Sequence, residues 1–132
     1  LNSADLLHDT SEDELYEQSM VRVREIMSMG TGAVEIKSGY GLTVEDELKM
    51  LRVIRRIKEA TPLTVKANFL GAHAVGRAYR GRQSEYVDLV CNEMMPKVAD
   101  TSDMVMLTNT TTSYANVLIT CKIMAIQESR LS

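Results

Sequence analysis

One pattern constrains this chain more than any other: a strand-like run that feeds a glycine-bearing turn, used twice. Residues 33–36 form a short strand that passes directly into Lys37-Ser38-Gly39-Tyr40-Gly41-Leu42. Residues 65–70 form a second strand, which ends in Gly71-Ala72-His73-Ala74. Between the two lies a helical pattern. Thr43 caps it with Asp46 three residues on, and Val44, Leu48, Leu51, Ile54 and Ile57 recur at three- to four-residue spacing. Strand, helix, strand in this order implies a right-handed crossover and a parallel pair. Parallel α/β enzymes collect reactive side chains at the carboxyl ends of their strands, so Tyr40 and His73 are expected at the same end of one sheet.

The flanking segments extend the alternation. Ser11 and Glu14 form a capping box, and Tyr16, Met20, Val23 and Met27 then mark one helical face, which Gly30 and Gly32 terminate. Ser84 is the expected cap of a further helix with Val87, Val90, Cys91 and Met94 inside, and Pro96 should break that helix or open a new turn. Lys49, Arg52, Arg55 and Arg56 read as the solvated face of the central helix. The element order is therefore α, β, α, β, α. Beyond about residue 100 the character changes. Residues 108–113 are rich in Thr and Asn, while 105–107 and 117–126 are apolar enough to add a strand and a covering element, though periodicity does not decide which.

Composition narrows the function classes. The 132 residues suit one domain, and a formal net charge of -3 gives no reason to expect a nucleic-acid partner. Arg77, Arg80 and Arg82 beside Tyr79 could hold an anion, with a solvated loop as the default. The 2 cysteines, Cys91 and Cys121, form no CxxC pair and read as reduced thiols of a cytoplasmic protein. No apolar run reaches the roughly 20 residues of a membrane span, and no signal-peptide pattern is read. Asn109-Thr110-Thr111 is a chance sequon in such a protein. Leu1 in place of Met suggests a fragment.

Few residues could carry chemistry. Tyr40, between two glycines at a strand end, either donates its phenol to a ligand or lies on a turn surface. His73 could polarise a carbonyl, shuttle a proton or bind a metal, or it is a hydrogen-bonded loop histidine. Lys37 and Glu35 fall on one side of their strand, where an ion pair is the simpler reading. His8 stands on a polar segment before the first helix and is expected at the surface. With 2 histidines in all, no metal ligands are assigned.

The words Val34-Glu35-Ile36-Lys37-Ser38-Gly39-Tyr40-Gly41-Leu42, Glu47-Leu48-Lys49-Met50-Leu51-Arg52, Phe69-Leu70-Gly71-Ala72-His73-Ala74 and Glu85-Tyr86-Val87-Asp88-Leu89-Val90-Cys91-Asn92-Glu93-Met94 closely resemble the imidazolonepropionase family of the amidohydrolase superfamily. The resemblance implies a partial (β/α)8 TIM barrel over residues 1–99, with a tail, 100–132, unlike the family. It implies hydrolysis of the ring C–N bond of 4-imidazolone-5-propanoate to N-formimino-L-glutamate in histidine degradation. Tyr40 and His73 fall on the family's substrate-binding Tyr and His, with His73 also catalytic as the group that stabilises the developing oxyanion. Zinc or iron serves the intact enzyme, and its ligands lie before and after the matching stretch. A complete barrel needs ~250 residues, so the chain alone is expected to lack hydrolase activity and to expose open sheet edges. The alternative is a small non-catalytic α/β binding module of flavodoxin-like shape. A third reading is self-association of two half-barrels as a homo-oligomer.

Overall fold

The computed structural model describes residues 2–72, 74–99, 102 and 104–105. The capping box forms as the sequence predicts. The Glu14 N–H donates to Ser11 Oγ at 3.2 Å and the Ser11 N–H donates to the Glu14 carboxylate at 3.1 Å, which starts α2 (Glu12–Ser28). The helix ends in a Schellman turn: Gly30 sits at φ +88°, its N–H donates to Met27 O, and the Thr31 N–H donates to Ile26 O. Strand β1 (Ala33–Lys37) follows, then α3 (Val44–Ala60) behind its Thr43 cap, then β2 (Thr64–Phe69). A short β3 (Met104–Val105) completes the sheet.

The strands lie in the order β1-β2-β3 and both pairs are parallel. Register runs from Ala33 opposite Thr64 to Lys37 opposite Asn68, so the two carboxyl ends finish level. Strand alternation divides the sheet into two faces. Val65, Ala67 and Phe69 join Leu51, Ile54 and Ile57 of α3 and Met20 and Val23 of α2 in one core, with Val34 and Ile36 packed against it. Glu35, Lys37, Thr64 and Lys66 are exposed. The last helices contribute Tyr86, Val90, Met94 and Val98 to the same core.

Several expectations change. Residues before α2 are not an open polar segment: Asn2–Asp9 form a helix, α1, and His8 lies in its last turn. The helix after β2 starts two residues earlier than a Ser84 cap would set it. α4 (Gln83–Leu89) begins behind Arg82 with no side-chain cap, after Gly81 turns the chain at φ +76°. Pro96 takes the second of its two expected roles and opens a new turn. The backbone passes through a wide π turn (Val90–Met94) into α5 (Met95–Val98), where Pro96 occupies the first turn and its missing N–H is not needed.

The basic side of α3 is not simply solvated. Lys49, only 11% exposed, pairs with Asp46 and donates to the carbonyls of Leu7, His8 and Thr10 at the end of α1. Arg52 and Arg56 reach Glu12 and Asp13 of α2, and Arg56 lies 4.1 Å over the Tyr16 ring. Of the apolar stretches beyond residue 100, Met104–Val105 is the part that is described. Residues 106–132, including Cys121, the sequon and 117–126, lie outside the described residues. No described helix is long and apolar enough to cross a membrane.

Candidate functional site

The turn after β1 is built under tension and then locked. Gly39 takes φ +106° and Leu42 takes φ +61°, an unfavourable value for a residue with a side chain. Space dictates the first of these: a methyl group on Gly39 would stand 2.2 Å from the carbonyl oxygen of Leu70. The backbone of the first turn therefore rests directly on the end of β2. The Ser38 N–H adds a further bond to Asn68 O at 2.9 Å.

The lock is Glu47, a side chain 1% exposed in the first turn of α3. One carboxylate oxygen accepts from the Gly39 N–H at 2.6 Å. The other accepts from the N–H groups of Gly41 at 2.8 Å and Leu42 at 3.1 Å. Burial pushes its carboxyl above the usual range, and the amide donors of Leu42, Gly39 and Gly41 offset only part of that. Ser38 is buried beside it, though its hydroxyl makes no hydrogen bond of ordinary geometry. Sequence reasoning missed Glu47. The available signal was its place in line with Leu51 and Ile54 on the apolar face of α3, where a carboxylate needs a reason to be.

Asp46, next in line, faces the other way. It accepts from His8 Nδ1 at 2.9 Å and Thr43 Oγ1 at 2.7 Å and pairs with Lys49 at 3.1 Å. Burial acts to raise its pKa, but His8, Thr43 and Lys49 together bring it below the usual carboxylate value. The His8 ring is 71% exposed, as expected, and its bond to Asp46 raises its pKa. A cleft of about 650 Å³ opens here, between His8, Gly41 to Val44 and Gly76 to Tyr79. It is lined by the flank of the turn and not by Tyr40.

Tyr40 stands at the tip of the locked turn, 45% exposed. His73 lies outside the described residues; the preceding Gly71 and Ala72 are buried. Gly71 is pinned from two sides: a methyl there would meet the Phe69 ring at 2.2 Å, and its carbonyl accepts from the Tyr86 hydroxyl at 3.3 Å. Burial raises the pKa of that phenol strongly. Lys37 and Glu35 form the expected ion pair at 3.7 Å, and Asn68 Nδ2 donates to the same Glu35 carboxylate at 2.9 Å. The arginines of the later loop do not converge. Arg77 bonds Asp5 and Arg82 bonds Glu85, each at 2.8 Å.

Comparison with known proteins adds the decisive observation. The chain is 60% identical over 99 residues to the imidazolonepropionase of Christiangramia forsetii, 57% identical over 99 residues to that of Flavobacterium johnsoniae, and 49% identical over 96 residues to that of Legionella pneumophila strain Paris. Over that stretch the chain matches a partial segment of imidazolonepropionase. The matches cover 75%, 75% and 73% of this chain but 24% of each relative, so the chain spans about a quarter of their length. No family model matches it. The metal that imidazolonepropionase implies finds no donor set here: among the described residues, no three His, Cys, Asp or Glu side chains stand together as ligands.

Proposed function

We propose that this chain is the part of an imidazolonepropionase that presents Tyr40 and His73 to 4-imidazolone-5-propanoate. The whole enzyme, in the cytoplasm, hydrolyses the ring C–N bond to give N-formimino-L-glutamate. The observation that carries this reading is the contact between the two turns. β1 and β2 are adjacent and parallel, their ends are level, and Gly39 abuts Leu70 three residues before His73. Side chains delivered from such neighbouring turns can close on one small molecule. In this reading Tyr40 donates its phenol to the substrate and sets its orientation. His73 donates to the oxygen that gains charge as water adds to the ring carbonyl. Among the described residues no set of side chains fits a metal.

The sequential strand order, which takes in β3 at Met104–Val105, and the one core on one face support a singly wound barrel segment that begins in residues 1–99. A flavodoxin-like module would place its strands in the order 2-1-3 and cover both faces. The test is turnover by a full-length protein carrying this segment. His73→Ala should lower kcat/KM by about 100-fold or more, and Tyr40→Phe by about 10-fold. Wild-type kcat/KM in both variants would contradict the assignment.

A further inference from the structure

The geometry points to Glu47 as the positioning residue for Tyr40, acting through the backbone on either side of it. This inference rests on the reading that Tyr40 meets the substrate. Glu47 is 1% exposed, so it does not touch a ligand itself. Its two oxygens divide their work around one residue. One holds the amide of Gly39, just before Tyr40, and the other holds those of Gly41 and Leu42, just after it. The Tyr40 Cα is thereby fixed from both sides by a single rigid group.

The rest of the turn needs this grip. Leu42, which carries a side chain, holds φ +61°, a value that persists only where the surroundings over-determine it. Without an acceptor, three buried N–H groups would stand unpaired, a condition native interiors avoid. Nor can the turn relax backwards, because Gly39 is stopped by Leu70. A carboxylate suits the position because it alone is acceptor on both oxygens. In Glu47→Gln one side would set an NH2 group against the N–H donors.

The test is a double-mutant cycle in a full-length protein carrying this segment, with kcat and KM determined separately and thermal melting as a check of the fold. Glu47→Gln should lower kcat/KM by about 10- to 100-fold, as a small misplacement of a substrate-orienting group does. In the Tyr40→Phe background the same change should cost much less, because the group it positions is already gone. Should Glu47→Gln not fold, Glu47→Asp, which keeps the charge but is too short to bridge both sides, takes its place in the cycle. Equal losses in the two backgrounds, or no loss in either, would overturn the positioning role while leaving Tyr40 as a substrate contact. A silent Tyr40→Phe would instead overturn the substrate reading, and the role of Glu47 with it.

Discussion

Asp46 and Glu47 are neighbours in sequence and both are buried, yet their carboxyl groups shift in opposite directions. Asp46 gains an imidazole and an ammonium; Glu47 gains only neutral donors against a deeper burial. The consequences for stability follow from proton linkage. The His8 pKa is raised in the fold by its bond to Asp46, so the folded state binds the proton more tightly. That contribution is complete below the ordinary imidazole value of about 6.5 and is lost as pH rises through the higher folded value. His8→Gln should therefore match wild type in urea denaturation on the alkaline side and fall below it on the acid side. Glu47 has the same sign: with a raised folded pKa, it lowers stability as pH climbs from the ordinary carboxylate range to its folded value. Gly39→Ala meets both a positive φ and the Leu70 carbonyl, and should cost about 2–4 kcal/mol in the same measurement.

At the scale of elements, α3 organises the chain. It packs its apolar face on β2 and sends its basic residues across to α1 and α2. The exposed pairs of Arg52 and Arg56 add little to stability, because water and salt screen them. Lys49 differs because it is shielded and serves three carbonyls at the end of α1. Lys49→Met should cost about 2 kcal/mol and should release α1 first, seen as faster amide exchange in residues 2–9 with α3 still protected. The same element explains what the sequence made legible. Ser11, Thr43 and Gly30 act within a few residues of themselves, so caps and stops could be read locally. The role of Lys49 depends on partners brought by the fold, 42 residues away for Leu7, and Glu47 reaches back 5 to 8 residues across a turn whose path helical periodicity does not give. Helix α1 was missed for the same reason, since its end is capped by a residue of another helix. The Ser84 cap failed because Gly81 and Arg82 turn the chain just ahead of it.

At the scale of the molecule, the described residues form a half-enclosed sheet. Helices cover one face, while Glu35, Lys37, Thr64 and Lys66 lie exposed on the other, and no described strand pairs with the outer edge of β1. An apolar groove of about 290 Å³, lined by Leu15, Val23, Ile26, Val34 and Ile36, runs beside that edge. Open edges of this kind recruit further strands. The isolated chain should sediment as a species larger than its 14.7 kDa monomer, and Val34→Lys should return it towards the monomer. Within this frame the candidate site is where two strand ends, a buried carboxylate and two positive-φ turn residues meet.

The most direct test is an acid titration of the ¹⁵N-labelled chain, following the amides of Gly39, Gly41 and Leu42 in wild type and in Glu47→Gln. The three wild-type amides should titrate together, with one midpoint above the ordinary carboxylate range, and this transition should vanish in the variant. Independent behaviour of the three amides, or the same transition in Glu47→Gln, would contradict the lock on which the placement of Tyr40 depends.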